Sequence, residues 1–187
     1  HEALLNLKFL EKSLNFPKII NISRHPVDLV TSWIKKGYMN KHYFRMTNTI
    51  LTYKYGKTNL PFFCLGIENL ISKQKSDEDK IVKMISNLNK IFKKSYLNSS
   101  KKKNIVLIKY DKFVTNPNKF INEICLRFNI GKTKFLKNVL KEQKCPRKVD
   151  YKQREKNYQK IFSKLSNENK KILNNLIFQY ENNELTF

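Results

Sequence analysis

The stretch Lys18-Ile-Ile-Asn-Ile-Ser-Arg24-His-Pro26-Val-Asp28-Leu-Val-Thr-Ser32-Trp33 constrains the fold more than any other segment of this 187-residue chain. Its apolar run, with Ile19, Ile20 and Ile22, is too short for a helix and β-branched, so it reads as a buried strand over 18–23. A polar turn carrying Arg24 ends the strand. Pro26 then suits the first turn of a helix over 26–37, where its fixed φ and missing N–H are tolerated. Asp28 falls in that first turn, where a carboxylate complements the helix dipole. Ser32 lies one turn beyond Asp28 on the same helix face. A guanidinium at a strand's C-terminal end and a hydroxyl on the following helix are thereby expected to converge. At the carboxyl edge of an α/β sheet, that pair suits a phosphorylated ligand.

A second segment repeats the design. Asn104-Ile-Val-Leu-Ile-Lys-Tyr110-Asp111-Lys-Phe113-Val-Thr-Asn-Pro117 reads as a strand over 104–109, a polar turn, and a proline that opens a helix over 117–129. Spacings of one, three and four predict that this helix buries Phe120, Ile121, Ile124, Cys125 and Phe128. Gly131 is the expected stop signal.

The two segments together resemble the sulfotransferases that use 3′-phosphoadenosine 5′-phosphosulfate (PAPS). Their pattern is a strand followed by Arg-x-Pro-x-Asp-x-x-x-Ser, filled here without a gap by Arg24, Pro26, Asp28 and Ser32. Downstream they carry a strand ending in Tyr-Glu/Asp, then Asp/Asn-Pro and an amphipathic helix ending in Gly. Lys109 departs from the family, which usually has Arg before that Tyr. The resemblance implies an α/β, P-loop-NTPase-like fold with a parallel sheet, helix-rich here, and PAPS as co-substrate. It gives Arg24 and Ser32 the 3′-phosphate of the nucleotide. It also implies a basic loop closing over the nucleotide, for which Arg147, Lys148 and Arg154 are the candidates, with Tyr158 near a usual Trp position. Val149 stands where a glycine commonly follows the basic pair.

His1 stands 23 residues ahead of Arg24, a distance similar to that of the catalytic His in cytosolic members of the family. An imidazole titrating near neutrality is suited to take the acceptor's proton during in-line transfer. The family also binds the 5′-phosphosulfate with a Gly-rich loop between its first strand and helix. This chain has only four glycines and no Gly-x-x-x-x-Gly-Lys. The resemblance therefore covers the part of the family fold downstream of that loop, incomplete at the N-terminus, and the chain alone is expected to be inactive. The implied reaction is sulfuryl transfer to a hydroxyl or amine of a carbohydrate or other polar acceptor. A non-catalytic nucleotide- or polyanion-binding module of the same fold is the alternative. A nucleoside-kinase relative is disfavoured because neither Walker motif is present.

The remaining chain fits a single domain over 1–187. Hydrophobic residues make up 40% of it, enough for a core despite a negative mean hydropathy. Nothing approaches an 18-residue apolar run, so no membrane span is expected. The formal charge of +23 suggests nucleic acid. However, it is carried mostly by scattered lysines, with five arginines, and the abundance of Asn and Ile marks an A+T-rich coding bias. No zinc-finger, RNA-binding aromatic or basic heptad pattern occurs, and nucleic acid is not expected as a partner. Cys64, Cys125 and Cys145 offer neither disulfide nor metal spacing, which favours a reducing, cytoplasmic compartment and no metal. Helices are further expected over 2–15, from Asp77 to about Tyr96, and over 167–182 with Ser166 as N-cap. Residues 38–66 interleave aromatics with Gly56, Pro61 and Gly66, and 147–154 reads as a basic loop.

Overall fold

The structure, a computed structural model, describes residues 7–14, 17–38, 52–61, 64–184 and 186. The chain is helix-rich, with one small parallel sheet and one hairpin among the described residues. Contacts divide the described residues into two compact units: those up to His25 with Phe92–Tyr151, and those of Pro26–Ile91 with Lys152–Thr186. Of the amphipathic helix expected over 2–15, residues Leu7–Ser13 form helix α1. His1, the rest of that helix outside 7–14, and the aromatics Tyr43, Phe44, Phe62 and Phe63 lie outside the described residues.

The first unit is organised by strands β1 (Ile19–Ser23) and β4 (Ile105–Lys109). They pair in parallel, from Ile19 opposite Ile105 to Ser23 opposite Lys109. Parallel pairing needs a long crossover, and the chain between the two strands supplies it. The pairing is as expected, but the burial is not. Strand β1 turns Asn21 and Ser23 inward, at 6% exposure each, and leaves Ile20 and Ile22 44% exposed. Side chains alternate along a strand, so Asn21 and Ser23 take one face and Ile20 and Ile22 the other. A run of isoleucines marks a strand without saying which face is covered. On β4 the buried positions are Ile105 and Ile108.

The expected polar turn after β4 is instead a short helix, α5 (Tyr110–Thr115), which starts directly at the strand's end. Helix α6 (Pro117–Phe128) follows, with Pro117 in its first turn and the Asn116 side chain accepting from the Lys119 N–H. It buries Phe128 and Pro117, while Phe120, Ile121, Ile124 and Cys125 are half-buried. The helix does not run to Gly131. Asn129 takes the left-handed conformation at φ 49° and ends it. The Ile130 N–H reaches back to the Cys125 carbonyl at 3.0 Å, the closing bond of a Schellman turn. Asn tolerates this conformation, so no glycine was needed. The Lys18 ammonium hydrogen-bonds the Phe128 carbonyl and lies 5.9 Å from that ring's centre, which ties the start of β1 to the end of α6. Helix α7 (Leu136–Glu142) completes the unit's regular structure.

In the second unit, helix α2 (Pro26–Lys35) buries Val27, Leu29, Val30 and Trp33. Strands β2 (Thr52–Tyr55) and β3 (Thr58–Pro61) form an antiparallel hairpin through a Gly56-Lys57 turn. Gly56 has φ +57°, which a two-residue hairpin loop demands of its first residue. Helix α3 (Glu68–Ser72) receives the Tyr53 hydroxyl on Glu68 at 2.8 Å. The long helix α4 (Asp77–Leu97) buries Ile81, Met84, Ile85 and Leu88 along one stripe. Helices α8 (Tyr151–Phe162) and α9 (Asn167–Glu181) close the unit, and α9 packs on α2. The basic loop expected over 147–154 therefore ends at Asp150, and Arg154 and Tyr158 are helical. The Lys152–Lys160 stretch is so polar that its apolar stripe is short, and periodicity alone did not reveal it. Ser166 caps α9 as expected, accepting from the Asn169 N–H.

A buried polar knot holds the starts of α4 and α9 together. The Asp79 carboxylate, 5% exposed, accepts from the Ser166 N–H at 3.0 Å, the Ser166 hydroxyl at 3.1 Å and the Asn169 amide at 2.7 Å. The same Asn169 amide lies 2.9 Å from Gln74 Oε1. Burial pushes the Asp79 carboxyl up, but the donors from Ser166, Asn169 and Ser76 together outweigh it and hold it below the usual carboxylate range.

Candidate functional site

Parallel register decides what meets at the sheet edge. Ser23 pairs with Lys109, so the next residues, Arg24 and Tyr110, leave the two strands side by side at their C-terminal ends. The Arg24 guanidinium carbon lies 5.4 Å from the centre of the Tyr110 ring. A second guanidinium arrives from far along the chain: Arg147 lies 5.7 Å from the same ring and donates to the Tyr110 hydroxyl. Its backbone N–H is anchored on the Val114 carbonyl, at the end of α5, at 2.8 Å. Two cations thus share one aromatic platform, and the quadrupole of the ring attracts both. Among the described residues no carboxylate forms an ion pair with either of them. Guanidiniums bind phosphate through forked hydrogen bonds, which is the chemistry this ring brings to the sheet edge. Lys148, next along the chain, is exposed.

The other sequence candidates lie in the second unit. Arg154 donates to Asp28 Oδ2 from Nε at 3.1 Å and from Nη2 at 2.6 Å. The side chains are 10% and 22% exposed, so this is a sheltered pair joining α2 to α8. Asp28 complements the helix start as expected and also fixes a neighbouring helix. Arg154, placed by sequence in a nucleotide-closing loop, instead has its guanidinium on Asp28. Ser32 is half-buried on α2, one turn past Asp28. Nearby, a cavity of about 140 Å³ is lined by Thr31, Ile34, Lys35, Lys160, Ile161 and Lys164, together with Glu78, which accepts from Lys164 at 2.8 Å. Arg154→Met is expected to lower unfolding free energy by about 1.5–2 kcal/mol, the worth of hydrogen bonds to a charged group, because Asp28 loses its partner. Urea unfolding checks it, and a loss under ~0.5 kcal/mol would reduce the pair to a surface contact.

Of the expected nucleotide ligands Arg24, Ser32, Arg147, Lys148 and Arg154, the structure brings Arg24 and Arg147 to one ring, and sequence reasoning missed the residue that carries it. The signal was available: an aromatic directly after the second strand stands level with an arginine directly after the first. Among the described residues, no group of His, Cys, Asp and Glu is arranged to hold a metal ion, and no helix is long and apolar enough to cross a membrane. Compared with known proteins, the chain matches no family model, no curated protein and no solved structure.

Proposed function

We propose that the chain is the 3′-phosphate-binding part of a PAPS-dependent sulfotransferase. The observation that carries this reading is the meeting of Arg24 and Arg147 on Tyr110 at the C-terminal edge of a parallel strand pair. Arg24 and Arg147 would hold the 3′-phosphate of the nucleotide, with Lys148 adding charge from the loop. Ser32 keeps the role of hydroxyl donor to the nucleotide that the resemblance gives it. Arg154 acts one step back, by fixing Asp28 in the first turn of the helix that carries Ser32.

The reaction is transfer of the sulfuryl group to a hydroxyl or amine of a carbohydrate or other polar acceptor. The acceptor oxygen or nitrogen forms a bond to sulfur while the bond from sulfur to the bridging 5′-phosphate oxygen breaks. The acceptor's proton passes to a base, for which the resemblance offers His1, and 3′-phosphoadenosine 5′-phosphate leaves. Positioning and neutralisation of developing charge supply the acceleration, as in phosphoryl transfer.

Titration of the 187-residue chain with 3′-phosphoadenosine 5′-phosphate and with adenosine 5′-phosphate tests the reading. Tighter binding of the 3′-phosphorylated nucleotide is expected, and equal affinity would defeat it. In a radiolabelled-sulfate assay the same chain is expected to show no turnover. It has no Gly-rich loop to cradle the 5′-phosphosulfate, and loss of even one preorganised donor costs ~10²–10³ in rate. Nucleotide binding without turnover is equally what a non-catalytic module would give. Robust transfer by the chain alone would exclude it.

A further inference from the structure

We propose that the cavity beside the Asp28–Arg154 pair is a binding site for a small organic carboxylate that carries one compact apolar group. The cavity measures about 140 Å³ and lies wholly within the second unit, between α2, α8 and the first turn of α4. A cavity of about 150 Å³ lined by aliphatic side chains takes one benzene, so this volume suits a ligand body of one ring. Two ion pairs hold the walls. Arg154 on α8 grips Asp28 on α2. From that pair, Thr31 and Lys35 follow at three and seven residues along α2, and Asn157 and Ile161 do the same along α8. The shared spacing carries one face of each helix past the same cavity. Beyond Ile161, Lys164 donates at 2.8 Å to Glu78, which is 9% exposed. Walls fixed in this way are in place before a ligand arrives, so little ordering opposes binding.

The lining selects the charge of the ligand. Ile161, 4% exposed, and the half-buried Ile34 supply apolar contact. The Thr31 hydroxyl donates to the Val27 carbonyl at 2.7 Å, so it has no proton left for a ligand. Asn157 Oδ1 accepts from Gln153 at 3.0 Å, which leaves the Asn157 amide protons as donors. Lys35 and Lys160 are exposed at the rim, and neither has an ion-pair partner among the described residues. Glu78 is the one carboxylate among the described lining residues, and Lys164 already neutralises it. The site thus offers an apolar interior, an amide donor and two unpaired ammonium groups. A carboxylate on a ring-sized body meets all three. Free phosphate answers the lysines but gains nothing from Ile34 and Ile161, and a cation is repelled at the rim. The inference does not depend on the nucleotide reading, whose two arginines lie in the first unit.

Titration of the isotope-labelled 187-residue chain with benzoate, followed by heteronuclear NMR, tests it. Saturable amide shifts are expected at residues 31–35 and 157–161. Benzamide keeps the ring without the charge, and acetate keeps the charge without the ring. Each should bind at least about tenfold more weakly than benzoate. Lys35→Gln with Lys160→Gln should weaken benzoate about tenfold. Lys90→Gln with Lys94→Gln removes the same charge from exposed positions in the far half of α4 and should change binding less than about twofold. Asn157→Asp keeps the acceptor that Gln153 uses but replaces the donor with negative charge. It should abolish saturable binding, with thermal unfolding as the check that the fold is kept. Equal affinity for acetate, or equal losses from the two lysine pairs, would show general attraction to a chain of charge +23 and overturn the proposal. So would an absence of saturable shifts at these residues, or benzamide binding as tightly as benzoate. Displacement of benzoate by 3′-phosphoadenosine 5′-phosphate would also overturn it, by moving the carboxylate to Arg24 and Arg147.

Discussion

Asp79→Ala is expected to lower unfolding free energy by about 3 kcal/mol or more, one of the largest losses a single change would cause in this chain. The carboxylate is buried and accepts from the Ser166 N–H, the Ser166 hydroxyl and the Asn169 amide. Truncation leaves these donors without their acceptor inside the protein, and each orphaned group costs about 1–3 kcal/mol. For a chain of this size the midpoint of thermal unfolding should fall by roughly 6–12 °C. A drop below about 1 kcal/mol in urea unfolding would mean that water replaces the carboxylate.

The pH dependence has a definite sign. The Asp79 carboxyl is held below its ordinary range in the folded state, so the unfolded chain takes up the proton first. Its contribution is fully present above the unfolded value, near pH 4, and is lost as pH falls through the lower folded value. Asp79→Asn keeps an acceptor at Oδ1 but cannot ionise. The stability gap between it and the natural chain should therefore be constant near neutrality and shrink as pH drops below about 4. A gap that persists unchanged in acid would show that charge on Asp79 plays no part in the knot.

Much of the scaffold was legible because local chemistry and global fold agree. β-Branched runs at 19–22 and 105–108 gave both strands, Pro26 and Pro117 gave two helix starts, and Ser166 gave a cap. The misses have particular causes. Helix α8 was hidden by its polarity, since its seat is held by the Asp28–Arg154 pair and by Ile161 rather than by a broad apolar stripe. The end of α6 falls within a residue of the expected 129, but its stop signal is Asn129, which takes the left-handed position ahead of Gly131. Inward-facing Asn21 and Ser23 could not be anticipated from a strand rich in isoleucine, because alternation fixes two faces but not which of them is covered. The same limit governs the site. Arg24 was marked by its position after a strand, whereas the distance from Arg147 to Tyr110 is set by how the chain from α6 onward returns to α5, which no spacing encodes.

Arg24→Ala is expected to weaken binding of 3′-phosphoadenosine 5′-phosphate by about 1.5–3 kcal/mol, or roughly 10–150-fold, the worth of hydrogen bonds to a charged group. Affinity for adenosine 5′-phosphate, which lacks the 3′-group, should barely change. Arg147→Ala should follow the same pattern, because both guanidiniums stand on Tyr110. Arg24→Lys keeps the charge but loses the planar fork, so it should fall between the natural chain and the alanine variant. The double variant gives the sharper result. If both arginines hold one phosphate, their losses will not add, and the cycle should show a coupling of about 0.5–3 kcal/mol. Raising the salt concentration separates this from the general attraction of a chain of charge +23, because diffuse attraction is screened while a forked contact persists. Equal losses for both nucleotides, or strictly additive effects, would mean that Arg24 and Arg147 contribute only to that diffuse field and that the edge of the parallel pair is not a phosphate site.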